Sequence, residues 1–497
     1  MTQADGVTVQ SGRSFYSPEP MASPSYDAVV VGAGPNGLAA AITIASAGRH
    51  VLVVEEAPTI GGGARTAELT LPGFHHDICS AVHPLGVASP FLRDLPLESH
   101  GLEWLEPRIP MAHPLDGGDA AVLHHSVSET ATALGPERDG RAYRRAVEPL
   151  VRDWERVLEG ILVPLLRPPA HPLAMARFGT NAVRSARAIA DRFEGGRGRA
   201  MFASLAAHAI VPLHHALTAS VGLMFAGAAH TTGWPLVRGG SQAVVDAMAS
   251  YLRSLGGEIE TGHRVQSLAA LPPARATLLD ITPRQLVAMA GDRLPAKARR
   301  RLDRFRYGPG VFKVDYALDG PVPWTAEVCH EAGTVHVGGT FEDIAAAELD
   351  VAEGRVSERP LVLVAQPSIV DPGRAPPGKH TLWAYCHAPH GSDADLTDII
   401  DAQIERFAPG FRDVVLARAT MSAADFEAYN PNYVGGDIAA GSQAGLQMIF
   451  RPQLSMSPYR TAIPGVYLCS ASTPPGAGVH GMCGHNAAKV ALRHSLR

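Results

Sequence analysis

The chain has 497 residues, of which 46% are hydrophobic and 18% charged, enough apolar material for a large core and a composition that excludes disorder over most of the length. Its 48 acids against 43 bases give a formal charge of −5, so no basic surplus points to a nucleic-acid partner. The five cysteines form no CxxC pair, and with no apolar signal segment near the N-terminus they suit a reducing cytoplasm.

Residues 1–24 are rich in Ser, Gly and Pro and read as a flexible tail, with Met21 an alternative start. Order is expected from Tyr26–Val31, a short apolar strand that runs into Gly32-Ala33-Gly34-Pro35-Asn36-Gly37. A helix over Leu38–Ala47, a second strand over His50–Val54 and the acid Glu55 follow. A GxGxxG turn alone is a weak signal; in this context it reads as a dinucleotide site. Gly32 permits the turn, Gly34 lets a diphosphate approach the backbone, and Gly37 lets helix and strand pack closely. The helix N-terminus offers free N–H groups and a positive dipole end. Glu55 suits ribose hydroxyls. A second cluster, Gly61-Gly62-Gly63-Ala64-Arg65, suggests a longer ligand whose far half runs over the next turn, and FAD fits. Arg65 is either a diphosphate contact or an ordinary surface arginine.

These elements open a first dinucleotide-binding segment, 25–130. A helical segment, 131–235, contains a helical pattern over Tyr143–Leu165 that Arg167-Pro168-Pro169 stops. From Ala200 to Val237 there is no Asp, Glu, Lys or Arg. Pro212, Gly222, Gly227 and several histidines interrupt this run, so it reads as two buried helices split near Pro212 rather than a membrane span. It leaves a peripheral membrane contact open. Residues 236–310 return to the dinucleotide domain, with a helix near Ala243–Leu255 and a short strand over His263–Leu268. Residues 311–435 alternate as strands at Phe312–Leu318, Glu327–Val337, Leu361–Ala365 and His380–His387, then form a helix near Asp395–Phe407. The closing segment, 436–497, is a strand over Val466–Ala471, a glycine-rich turn through Asn486, and a helix over Ala487–Leu496. That helix N-terminus is suited to the negative charge of a reduced flavin. The expected fold is α/β: a discontinuous Rossmann-like FAD-binding domain with an inserted α+β substrate domain.

The set YDAVVVGAGPNGLAAA, VLVVEEAPTIGGGART, PGFHHDICSAVHPLG, RGGSQAVVDAM and VYLCSASTPPGAGVHGMCGHNAA resembles the phytoene-dehydrogenase-related flavoproteins. That family takes in carotenoid desaturases and isomerases and the pyridine nucleotide-disulphide oxidoreductase domain-containing 2 proteins. The resemblance implies FAD contacts from Gly32, Gly34, Pro35, Asn36, Gly37, Glu55, Gly62, Gly63, Ala64 and Arg65. It places the Val265 backbone at the adenine, and Ser80, Gly478, Val479 and Met482 near the isoalloxazine. Two departures stand out: a Pro-rich link, Leu271-Pro272-Pro273, replaces the usual hairpin, and Ser470-Ala471-Ser472 stands where many flavoproteins carry an acid.

Lys313 is one of only four lysines among the 43 bases, and a lysine kept in an arginine-using chain suggests a need for a compact ammonium. The flavin amine oxidases place a lysine on a similar strand to hold a water at the flavin, and the resemblance implies that role here; the alternative is a strand-edge lysine in solvent. His480 and His485, in the closing turn, are acid–base or flavin-tuning candidates, or partners of loop carbonyls. Tyr429 and Tyr433 could line a substrate cavity, and Cys79 and Cys483 could lie near the flavin. His75-His76-Asp77 and His387-Ala388-Pro389-His390 lack the rest of a ligand set, so no metal is expected. The expected activity is hydride transfer from a small apolar or amphipathic molecule to flavin, as in desaturases and isomerases. Amine oxidation and a non-catalytic flavin-binding scaffold are the alternatives. The oligomeric state is left open.

Overall fold

The computed structural model of the chain describes residues 26–497, so the tail expected over residues 1–24 lies outside the described residues. The chain builds two principal sheets. The first has five parallel strands in the order Val466–Leu468, Ala274–Leu279, Tyr26–Val31, Val51–Val54 and Glu258–Glu260. The central strands are almost wholly apolar because both of their faces are covered. Helices Pro35–Ala45 and Met482–His494 pack together on one face. Leu279, Leu286, Leu302 and Leu468 join in a core on the other. Gly484 allows the two helices to touch, since a Cβ there would lie 1.7 Å from the Asn36 carbonyl oxygen.

This sheet corrects one expectation and adds a strand that was not expected. No strand forms over His263–Leu268; Val265 lies in an irregular connection, and the strand precedes it at Glu258–Glu260. Beyond the Pro-rich link, Ala274–Leu279 forms an inner strand that hydrogen-bonds to strands on both sides. Its sequence, ARATLL, carries Arg275 and Thr277 among its apolar residues, and its two neighbours rather than its own pattern hold it extended.

The second sheet has seven strands, in the order Val415–Met421, Gly310–Leu318, His380–Ala388, Val362–Ala365, Ala332–Val337, Ile109–Pro114 and Ala120–Leu123. The hairpin Ile109–Leu123 therefore belongs to this sheet, although the expected boundary assigned it to the dinucleotide segment 25–130. Val314, Tyr316 and Leu318 join Ile400 and Ile404 of helix Thr397–Glu405 in a second core. The alternate residues Val311 and Lys313 line a cavity on the opposite face. Residues Glu327–Glu331 form a 3-10 turn, and the strand expected from Glu327 begins only at Ala332.

The helical segment covers that cavity. The single helix expected over Tyr143–Leu165 is two, Glu137–Arg152 and Trp154–Ile161, broken at Asp153. The Asp153 carboxylate accepts from Arg177 at 2.6 Å and Arg156 at 3.1 Å, which ties the break to the next helix. The uncharged run forms helices Gly196–Ala206 and Thr218–Thr231, with Pro212 in their connection. Among the described residues, no helix is long and apolar enough to cross a membrane.

Candidate active site

One cavity of about 1090 Å³ runs from the glycine turn at the carboxyl end of Tyr26–Val31 to the inner face of the seven-stranded sheet. Small-molecule pockets are typically about 300–1,000 Å³, so there is room for a dinucleotide and part of a substrate. Gly32, Gly34, Pro35 and Asn36 line one end. Helix Pro35–Ala45 has no side-chain cap, which leaves its N-terminal N–H groups and dipole directed at that end. Gly37 lies behind the wall. A Cβ on it would fall 1.9 Å from the Gly32 carbonyl oxygen, so only glycine lets the helix start there. Its N–H donates to Asp280 Oδ2 at 2.9 Å.

Asp280 ends the strand Ala274–Leu279 and lines the cavity beside this turn. Burial lifts its carboxyl from 3.8 to about 7; the Gly37 N–H opposes the rise and Glu55 adds to it. Asp280 could not be singled out from the sequence, because the strand it follows has no distinct pattern. Glu55 Oε2 accepts from the Ala33 N–H at 2.7 Å, and Oε1 accepts from the Ala57 N–H at 3.0 Å and from Arg65 at 3.3 Å. Arg65 is 7% exposed and is not a surface arginine. It donates to the carbonyls of Ile60 and Thr59 and to the Tyr429 hydroxyl, which in turn donates to the Gly62 carbonyl at 3.0 Å. Arg65 thus braces the second glycine turn.

The other cofactor candidates separate into two groups. Gly62, Gly63, Ser80, Val265, Gly478 and Val479 line the cavity with Glu55 and Arg65. Ala64 and Met482 are buried outside its lining. Arg451 was not singled out from the sequence. It is 2% exposed, lines the cavity, donates to the carbonyls of Ala471 and Gly441, and among the described residues has no partner for its Nε–H. An uncapped helix start and an unpaired guanidinium N–H are donors that an anionic dinucleotide would satisfy, so the residues fit FAD.

Lys313 is 1% exposed, in place of the solvent-facing alternative, and lines the cavity. It donates to Asp315, two residues along the same face. Burial raises the Asp315 carboxyl to about 6, although Lys313 draws it down. Trp383 lies 5.9 Å from the Lys313 ammonium, and Tyr429, Tyr433 and Cys79 share the lining. His480 also lines the cavity, but its Nδ1 accepts the Met482 N–H at 3.0 Å and shapes the closing turn; burial lowers it to about 4. His485 is a correction. It faces helix Pro35–Ala45, bonded to Thr43 at 2.9 Å and packed on Phe91, and does not reach the cavity. Its position four residues into the closing helix turns it away from the ligand side. Cys483 is buried beneath the turn, with Thr473 and Gly476 carbonyls as partners. No group of three His, Cys, Asp or Glu among the described residues is placed to hold a metal ion.

A parallel sheet with a glycine turn, an acid after its second strand and a cavity continuing onto a substrate sheet define a flavin-dinucleotide oxidoreductase architecture. The model of the family described as flavin containing amine oxidoreductase matches residues 36–488, and the chain belongs to that family. It is a flavin-dependent oxidoreductase with FAD as cofactor. It is 27% identical to mouse pyridine nucleotide-disulfide oxidoreductase domain-containing protein 2, over 95% of this chain and 94% of that one. It is also 27% identical to a phytoene dehydrogenase of Streptomyces griseus, over 73% of each chain. Among solved structures, an oxidoreductase from Methanosarcina mazei shares the fold, with a TM-score of 0.63, 16% identity, and coverage of 93% of this chain and 99% of that one.

Proposed function

We propose that the protein is a desaturase- or isomerase-type enzyme that removes hydride from a C–H bond of an apolar or amphipathic small molecule. The observation that carries this reading is the continuity of one cavity from the dinucleotide turn, past Lys313, to an apolar wall formed by helices Pro172–Ala182 and Thr218–Thr231. A bound FAD would supply the hydride acceptor. The chain's own residues then bind, orient and exclude water. Met175, Phe178, Met224 and Phe225 give the helical wall its apolar surface. Lys313 has three donors and uses one on Asp315, which leaves N–H groups to hold a water or a substrate atom at the reacting end. Leu165 and Val183 line the cavity yet are 41% and 57% exposed, so they form an apolar rim through which a substrate could pass from a membrane surface.

A second reading, amine oxidation, draws on the aromatic side chains Trp383, Tyr385, Tyr429 and Tyr433 in the lining. The helical wall of Met175, Phe178, Met224 and Phe225 offers no counter-charge to a cationic amine, which favours the first reading. The test is anaerobic: FAD-loaded protein is mixed with isoprenoid alkenes and alcohols and, separately, with primary and secondary amines. Bleaching of the flavin band by the isoprenoid set supports the proposal. Bleaching by amines alone replaces it with the second reading, and silence across both sets refutes it.

A further inference from the structure

The seven-stranded sheet provides a ruler inside the cavity. Lys313 stands directly opposite Tyr385, Tyr385 opposite Leu363, and Leu363 opposite His336, and all four side chains line the cavity. Three inter-strand spacings separate Lys313 from His336, about 14 Å, the length of a chain of on the order of ten carbon atoms. His208, from the end of the helical wall, meets His336 there with ring centroids 5.2 Å apart. His387 lies on the same sheet face as Tyr385, with its ring 5.9 Å from the Tyr385 ring.

The hydrogen bonds of His208 and His336 fix where their protons sit. His208 Nδ1 lies 3.3 Å and 3.2 Å from the carbonyl oxygens of Ser204 and Leu205, which can only accept, so Nδ1 carries the proton. The Ser204 hydroxyl donates to the Met201 carbonyl, so it accepts from His336 Nδ1 at 3.2 Å. His387 Nδ1 donates to Glu348 Oε1 at 2.7 Å. His208 and His336 therefore each keep an Nε2 lone pair. Neither of these Nε2 atoms bonds to another described residue, and His387 lies outside the cavity lining. Burial keeps His208 and His336 neutral: His208 is lowered to about 4, and His336 falls well below its usual value. An apolar cavity that served only hydrocarbons would have no use for a group of unpaired acceptors, each costly to bury.

We propose that this end of the cavity recognises a hydroxyl group on the far end of the substrate, which donates its single proton to Nε2 of His336 or of His208, the two rings standing 5.2 Å apart there. The substrate class is then a long-chain or isoprenoid alcohol whose reacting carbon lies near Lys313, about 14 Å away by the strand spacing. This rests on the desaturase-type reading above. A carboxylate offers no donor and meets only lone pairs. An alkyl ammonium would lose its hydration at an end of the cavity whose lining holds no carboxylate.

The test measures binding to FAD-loaded protein through the fluorescence of Trp234 and Trp383, so that it does not depend on turnover. The probes are 1-decanol, its methyl ether, decylamine and decanoate. The alcohol should bind about tenfold more tightly than the ether, the factor that accompanies one buried hydrogen bond left unmade. Decanoate should bind more weakly than either. His208→Phe and His336→Phe should reduce the alcohol's advantage to about twofold while FAD content stays at one per chain. Equal binding of alcohol and ether, tighter binding of decylamine, or no binding of the alcohol overturns the proposal. The wild-type comparison decides even where a variant fails to fold. An alcohol preference without flavin bleaching would sink the desaturase reading alone; bleaching without the preference would sink only the hydroxyl site.

Discussion

Asp280→Asn should make the protein more stable at pH 8 than the wild type, a gain that vanishes at low pH. The Asp280 carboxyl titrates near 7 in the folded chain, against an ordinary value of 3.8. Between those values the unfolded chain has released the proton and the folded chain has kept it, so wild-type stability falls as pH rises from about 4 to about 7 and then levels. At about 1.4 kcal/mol per unit, the full gap sets an upper bound of about 4 kcal/mol. Asparagine still offers an oxygen to the Gly37 N–H, so the turn keeps its anchor. The assay is chemical unfolding of both proteins, freed of FAD, at pH 4 and pH 8, followed by FAD titration. The variant should gain up to about 4 kcal/mol relative to wild type on moving from pH 4 to pH 8. It should also bind FAD more tightly at pH 8, because it carries no charge beside the turn. A stability difference that is the same at both pH values would refute this account.

Lys313→Met alone should cost about 3–5 kcal/mol in a melt, because it leaves the buried Asp315 without its partner. The double variant Lys313→Met/Asp315→Asn removes both charges and should fold, yet flavin reduction or reoxidation should slow at least tenfold by stopped flow. Unchanged half-reactions would remove Lys313 from the mechanism. Gly484→Ala should lower stability by about 1–3 kcal/mol or more and reduce FAD content, since it pushes helix Met482–His494 away from the Asn36 carbonyl. Arg374→Met should cost about 3–5 kcal/mol. Arg374 is paired at 2.8 Å with Asp77, whose other oxygen accepts from Thr66 and Ser241, so three elements loosen together.

The glycine turn and the closing motif were legible in the sequence because their meaning is local: a strand, a turn and a helix lie within about 30 residues of one another. Lys313 itself was legible as a lysine kept among arginines, while its burial was decided by the sheet, where every position from Gly310 to Leu318 is buried. What could not be read is the choice between sheets. The hairpin Ile109–Leu123 has the same local pattern in either sheet, and only its parallel pairing with Ala332–Val337 decides. Asp280 was missed because nothing in ARATLL marks the strand as an inner one. Arg451 and the imidazoles of His208 and His336 come from distant stretches, and topology alone brings them to one cavity. His485 went astray for the opposite reason. It sits in a motif with an evident role, but helical rotation directs it to the wrong side.

The inner sheet draws strands from residues 26–54, 258–279 and 466–468, with its packing helix completed by Met482–His494. A ribosome therefore delivers the glycine turn hundreds of residues before the strand and helix that shelter it. Until then the early hairpin of strand and helix has an open flank, exposed to chaperones and proteases. Cofactor loading must wait for the final portion of synthesis, and a chain cut short before Val466 should accumulate without colour, whatever the integrity of its first 450 residues.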